Sequence, residues 1–123
     1  MFKRDSRSEA LIQSLVSATT RIQGDLVFSG GMHLDGAVTG NVRAVGDEVS
    51  RLVVGQTGLI EGSVEADVVE LHGAVRGDIL ARQRAVLGAR ARVEGNLHYG
   101  VIEMAAGAHI KGKLVRLGNE AVP

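Results

Sequence analysis

Cysteine is absent from these 123 residues, which excludes disulfide staples and any thiolate-based zinc site. Aromatic side chains number only three, Phe2, Phe28 and Tyr99. That is too few for the stacking platforms on which single-stranded nucleic acids and sugars are held. The formal net charge is zero and no basic stripe dominates, so nucleic acid is not an expected partner. No apolar run approaches the length needed to span a bilayer, and no hydrophobic stretch of the signal-peptide type opens the chain. The expected location is therefore cytoplasmic. The single proline is Pro123, outside the patterned part of the chain, so proline blunts no strand edge within it.

Glycine, by contrast, is abundant, and it is placed regularly. Six times the chain spells small–x–aliphatic–x–Gly–x–aliphatic, with central glycines Gly24, Gly40, Gly62, Gly77, Gly95 and Gly112. The aliphatics two positions before these glycines are Ile22, Val38, Ile60, Val75, Val93 and Ile110, and those two positions after are Leu26, Val42, Val64, Ile79, Leu97 and Leu114. A further apolar residue stands eight positions before each glycine: Val16, Met32, Val54, Val69, Leu87 and Met104. The residues between the aliphatics are mostly polar, as in Arg92-Val93-Glu94 and His109-Ile110-Lys111. This is period-2 alternation, the pattern of strands with one buried face. A helix fails here, because a glycine would interrupt each copy at a cost of about 1 kcal/mol relative to alanine.

A strand motif that recurs at this interval, with no helix between copies, predicts an all-β fold of stacked coils. The expected architecture is a parallel β-helix of about six windings, each laid roughly 4.8 Å above the last. Equivalent aliphatics then stack in internal ladders. The glycines serve either corners at positive φ or close backbone approach, and the pattern alone leaves both uses open. The interval from Gly40 to Gly62 is 22 residues, against 15 to 18 elsewhere. The excess is expected in Gly46-Asp47-Glu48-Val49-Ser50-Arg51, a polar bulge of the kind that surface corners tolerate. Charge is banded along the axis: acids dominate from Val38 to Ala74 and bases from Val75 to Arg92. Such bands can pair within the rod or between rods, each exposed pair being worth about 0–1 kcal/mol.

The ends of such a rod are its reactive part. Solenoids need polar caps to stay soluble, and no capping element is evident after the sixth unit. End-to-end polymerisation is therefore expected, through backbone pairing and the apolar residues Val16, Ile22 and Leu26 at one end and Met104, Ile110 and Leu114 at the other. Residues 1–14 form an expected disordered tail, and Glu9–Val16 reads as a short turn of helix leading into the first strand. Met1-Phe2-Lys3-Arg4 joins an apolar pair to two cations, a minimal membrane anchor. Burying Phe2 contributes about 1.5–3 kcal/mol and each base near an anionic surface about 1 kcal/mol. Many copies on one filament multiply that weak affinity.

Thr20-Arg21-Ile22-Gln23-Gly24-Asp25-Leu26-Val27-Phe28-Ser29-Gly30-Gly31 with Leu34-Asp35-Gly36, Val69-Glu70-Leu71-His72-Gly73-Ala74-Val75-Arg76-Gly77-Asp78, and the closing Gly107-Ala108-His109-Ile110-Lys111-Gly112 together resemble the bactofilin family of bacterial cytoskeletal proteins. The resemblance covers residues 15–117. It implies a single-stranded, right-handed, triangular β-helix domain over 15–117, with a short C-terminal tail at 118–123. It also implies polymerisation without nucleotide into nonpolar filaments, with rods joined head to head and tail to tail. Many members begin with Met-Phe and one or two bases as a membrane-targeting motif, which Met1, Phe2, Lys3 and Arg4 match. The implied location is then the inner face of the cytoplasmic membrane. The implied partners are further copies of the chain together with cell-wall enzymes, or polarity and chromosome-segregation proteins. Ile110 departs from the pattern, since phenylalanine is common before the final glycine. The long proline-rich flanks of some members have no counterpart here.

Other motifs are weaker. Gly107 to Leu114 nearly spells a phosphate-binding loop, but Leu114 stands where Ser or Thr should hold magnesium. His72, His98 and His109 fall at unlike odd offsets from their central glycines, which directs them outward without convergence on a metal. No Ser/His/Asp grouping stands out, and Glu61, Glu65 and Glu70 read as an acidic face. No enzyme, cofactor or metal site is expected. A hexapeptide-repeat acyltransferase is disfavoured by the uneven spacing, and a non-polymerising β-helix adaptor would need capped ends or a second domain.

Overall fold

The computed structural model describes residues 14–118, and among these every regular element is a strand. The first winding carries β1 (Ser14–Val16), β2 (Arg21–Gln23) and β3 (Leu26–Phe28). The second carries β4 (Gly31–Leu34), β5 (Ala37–Thr39) and β6 (Val42–Ala44), and the third begins with β7 (Arg51–Val54) and β8 (Leu59–Glu61). Then β9 (Val64–Leu71) turns a corner from the third winding into the fourth, followed by β10 (Ala74–Arg76). Two more strands pass between windings in the same way, β11 (Ile79–Leu87) and, after β12 (Arg92–Glu94), β13 (Leu97–Met104). The sixth winding closes with β14 (His109–Lys111) and β15 (Leu114–Arg116). Ser14–Val16 is thus extended and not helical, because its edge pairs with β4. The remainder of the expected helical turn, the tail and the anchor motif Met1–Arg4 lie outside the described residues.

All pairings between windings are parallel, so the molecule is a parallel β-solenoid of about six turns with three strand segments in each. One face is the continuous stack β2-β5-β8-β10-β12-β14. Its inward ladder is Ile22, Val38, Ile60, Val75, Val93 and Ile110. A second ladder, on the face that starts with β3, runs Leu26, Val42, Val64, Ile79, Leu97 and Leu114. Both agree with the spacing argument. The third ladder does not: the register is Val16, Leu34, Val54, Leu71, Leu87 and Met104. Met32 and Val69 belong to the neighbouring ladder, which also contains Leu52, Ala85 and Ile102. The reason is a corner of two lengths. Windings one, three, five and six use four residues closed as turns, such as Gly58 N–H donating to Gly55 O at 2.9 Å and Ala91 N–H to Gly88 O at 3.1 Å. Windings two and four use only Asp35-Gly36 and His72-Gly73, which moves their last inward residue two positions closer to the central glycine.

The central glycines meet both demands at once. From Gly40 to Gly112 their φ values lie between 148° and 154°. A Cβ on each would also stand 2.0–2.2 Å from the carbonyl oxygen of the central glycine one winding below. Backbone packs on backbone along this corner, and no side chain fits between. The interior is otherwise mainly aliphatic: Leu34, Leu52, Ile60, Leu71, Ile79 and Leu97 are fully buried. The long interval is absorbed between β6 and β7, where residues 45–50 leave the rod and return. Gly46 turns at φ 98°. Ser50 is buried and anchors the return, donating its amide to Asp67 Oδ2 at 2.9 Å and accepting the Asp67 amide on Oγ at 2.8 Å.

Candidate functional site: the two ends of the rod

Two of the ladders that are sealed in the middle windings open at both ends of the described rod, and the third opens only at its C-terminal end. On the second ladder Leu97 is fully buried, whereas Leu114 one winding later is 47% exposed. On the third, Leu87 is buried and Met104 is 47% exposed. Ile110 is half-buried where Val93 is buried. At the opposite end Ile22 and Leu26 are half-buried and Val16 is buried at 8% exposure. The six residues expected to form the end contacts are thus brought together three and three, one on each face of a terminal winding. Among the described residues, β2 and β3 at one end, and β14 and β15 at the other, have a parallel neighbour on one side only. Among the described residues their outer edges find no strand partner, and such edges favour addition of another strand.

Two features of these ends escaped the spacing argument. The residue after each central glycine forms a polar ladder at the corner. Asp25 Oδ1 accepts the Asn41 amide at 3.0 Å, and Asn41 Oδ1 accepts the Ser63 amide at 3.0 Å. Higher up, Asp78 Oδ1 accepts the Asn96 amide at 2.9 Å and Asn96 Oδ1 accepts the Lys113 amide at 3.1 Å. The ladder stops at Lys113, which has no side-chain acceptor. The second feature lies four residues after each glycine, at Phe28, Ala44, Ala66, Ala81, Tyr99 and Arg116. The first five fill an inward column, and the register continues it from Tyr99 to Arg116. An arginine therefore ends a column of apolar residues. Comparing one fixed offset from the glycines would have revealed both columns.

Charged groups stitch the middle windings. Arg82 Nη1 donates to Glu65 at 2.7 Å and its Nε to Asp67 at 2.9 Å, so one guanidinium spans the acidic and basic bands. Arg76 donates to Glu61 at 3.1 Å, Arg51 to Glu70 at 2.6 Å, and Arg84 pairs with Glu103. The bands therefore pair within the rod. The Ser50 amide, opposed by partial burial and aided by Arg82, holds the Asp67 carboxyl below its usual range. The His72 hydrogen bond, at 2.8 Å, does the same for Glu70, with Arg51 adding to it. Asp67 in turn raises the Arg82 guanidinium.

The weaker motifs find structural places. Gly107 to Leu114 is a corner, strand β14 and the start of β15, so its backbone is committed to the ladder: the His109 amide donates to Ala91 O at 2.9 Å. His33 bonds Asp35 at 2.9 Å and His72 bonds Glu70. His98 and His109 stand on different faces, in β13 and β14. Among the described residues no group of three or more His, Cys, Asp or Glu side chains is placed to hold a metal ion, and no helix is long and apolar enough to cross a membrane.

Comparison with known proteins agrees with this geometry. A family model described as bactofilin, polymer-forming cytoskeletal, matches residues 14–115. The chain is 26% identical over 110 residues to bactofilin BacO of Myxococcus xanthus (strain DK1622), across 89% of this chain and 84% of that protein. It also resembles a chain in the cryo-EM reconstruction of Thermus thermophilus bactofilin double helical filaments, with a TM-score of 0.70 and 31% identity. That likeness covers 85% of this chain and 99% of the other.

Proposed function

This chain belongs to the bactofilin family of polymer-forming cytoskeletal proteins, and from that premise we propose that it joins end to end, without nucleotide, into nonpolar filaments. The family is structural and not enzymatic. The observation that carries the proposal is the opening of two apolar ladders at both terminal windings and of a third at the last winding, together with strands there that have one parallel neighbour among the described residues. Joining two such ends covers Met104, Ile110 and Leu114, or Ile22 and Leu26, against their own kind, Val16 being buried already within its own winding. Each large aliphatic side chain so covered contributes about 1.5–3 kcal/mol when burial is complete. Isologous contacts of this type present one patch to itself. The corner ladder supports the nonpolar arrangement. A head-to-tail continuation would set Lys113, which has no acceptor, beneath the amide of Asp25, where four of the five steps between described windings supply Asp or Asn and the fifth supplies Ser63.

Met1, Phe2, Lys3 and Arg4 tether the filament to the inner face of the cytoplasmic membrane in this reading. A filament so held is a scaffold for cell-wall enzymes or for polarity and chromosome-segregation proteins. The test is negative-stain microscopy and pelleting of the purified full chain without nucleotide, in parallel with a variant lacking residues 1–8 and with anionic vesicles present. Filaments from both proteins, with vesicle binding only by the full chain, are expected. A full chain that stays monomeric at high concentration refutes the polymer, and vesicle binding by the truncated chain refutes the tether.

A further inference from the structure

The chain has no cysteine, so no thiol competes for an oxidant and sulfur chemistry falls on its methionine thioethers. Two of these lie among the described residues. Met32 is 4% exposed in the second winding, and Met104 is 47% exposed in the last. Met104 ends a ladder whose other members, Val16, Leu34, Val54, Leu71 and Leu87, are all branched aliphatics. The turn after it is Ala105-Ala106-Gly107-Ala108, closed by Ala108 N–H donating to Ala105 O at 3.2 Å. No side chain in that turn is long enough to fold over the sulfur, whereas the equivalent turns of windings three and five carry Gln56, Thr57 and Arg90. The thioether is thus placed where a small oxidant reaches it, on the surface that the proposed filament must cover.

A methionine is well suited to such a contact while it is reduced, since it is flexible and apolar and fills irregular gaps. A hydroperoxide changes that. A sulfur lone pair attacks one peroxide oxygen, and the S–O bond forms as the O–O bond breaks. The sulfur loses two electrons, and the leaving oxygen takes up the proton and departs as water or an alcohol. The product sulfoxide is polar and chiral. It accepts hydrogen bonds and donates none, so covering it without a donor leaves an unsatisfied polar group. In the tail-to-tail contact it faces Met104, Ile110 and Leu114 of the second copy, whose side chains donate nothing. The opposite contact set, Val16, Ile22 and Leu26, contains no sulfur.

We propose that Met104 is a modification site, and that its reversible sulfoxidation by a hydroperoxide closes the C-terminal junction of the rod to further growth while leaving the N-terminal junction intact. The inference rests on the end-contact reading above. The reduced chain assembles by itself. Within a finished filament the junction covers Met104, so the oxidant acts on free C-terminal ends and caps them. Chains oxidised before assembly stop at dimers joined through their first windings. A sulfoxide reductase reverses the modification: two thiols become a disulfide, the oxygen leaves as water and the thioether returns.

The experiment treats the full chain with hydrogen peroxide, either dilute before assembly or as finished filaments. Peptide mass spectrometry follows the oxygen on Met104, and sedimentation gives the critical concentration. Oxidation before assembly is expected to raise that concentration at least about tenfold, with dimers accumulating, and the two epimer-specific methionine sulfoxide reductases with a dithiol should restore it. Met104→Leu keeps Met1 and Met32, should polymerise like the parent and should be indifferent to peroxide. Met104→Gln, polar without any oxidant, should polymerise as poorly as the oxidised parent; should it fold badly, reversal on the parent chain still decides. In finished filaments Met104 is expected to oxidise at least about fivefold more slowly than in dilute chains. Loss of assembly by peroxide-treated Met104→Leu, or normal pelleting of a parent fully oxidised at Met104, overturns this inference alone. Equal oxidation rates in filaments and dilute chains place Met104 outside the junction and overturn the end-contact reading with it, as does the absence of any polymer.

Discussion

Replacing one central glycine by alanine separates the two demands that the corner makes. At Gly62 the backbone sits at φ 154°, and a Cβ would lie 2.0 Å from Gly40 O and 2.5 Å from Gly40 C. Gly24 has φ 127° and nothing within 4 Å of the same atom, because no described winding lies beneath it. The conformational strain common to both costs about 1–3 kcal/mol. The clash at Gly62 is with backbone, which cannot swing aside, so two windings must separate locally. Overpacking of this kind costs about 1–3 kcal/mol more. The expected difference between Gly62→Ala and Gly24→Ala is therefore about 2 kcal/mol, equivalent to about 10 °C in Tm for a domain of this size. Thermal unfolding followed by far-UV circular dichroism, in a background that does not polymerise, reads the difference directly. Equal melting temperatures for the two variants would falsify the claim that backbone-on-backbone contact holds the glycine corner.

Three further outcomes are expected. Leu114→Arg removes about 1.5–3 kcal/mol of burial from an end contact, which raises the critical concentration at least about tenfold. Ultracentrifugation of the folded variant checks this, and unchanged pelleting would show that the last winding is not an interface. Removing residues 1–8 abolishes co-sedimentation with anionic vesicles and leaves filament length unaltered under the microscope. Acid should weaken the rod through Asp67 and Glu70, whose folded carboxyls lie below their ordinary values of 3.8 and 4.5. A depressed carboxyl stabilises the fold above its unfolded pKa and loses that contribution as pH falls through the folded value. Melting temperature should thus be level above about pH 5 and decline below about pH 4, with Glu70→Gln declining less steeply. A titration in which the variant and the parent fall together would remove Glu70 from the account.

Much of this fold is legible in the chain because its information is local. Each aliphatic–x–Gly–x–aliphatic unit states its own alternation, so two of the ladders, from Ile22 to Ile110 and from Leu26 to Leu114, follow by counting from the glycines. The third ladder fails by counting, since it lies across a corner whose length changes between four residues and two. Met32 and Val69 have the right hydrophobicity at the expected distance, and nothing in their own neighbourhood reveals that Leu34 and Leu71 take the position. The opening of the ladders was accessible for a related reason: where the described repeats cease, Ile22, Leu26, Met104, Ile110 and Leu114 lose cover that their inner counterparts have, although Val16 stays buried. Arg116 was missed because it lies two residues past Leu114, the last position of the repeated unit, although still within the 15–117 domain. Its meaning appears only when Tyr99 is seen beneath it.

The amino-acid sequence by itself determined the coil, its number of turns and its largely aliphatic interior, since alternation and glycine spacing act over a few residues at a time. Only the tertiary structure decided which residue stacks on which across unequal corners, that the glycines serve both positive φ and close approach, and that the acidic and basic bands close on each other within one rod. It also decided that Arg116 continues, at the last described winding, the column that Tyr99 occupies beneath it. Those features arise between windings, where residues 15 to 22 positions apart meet, and their pairing depends on the length of every corner in between.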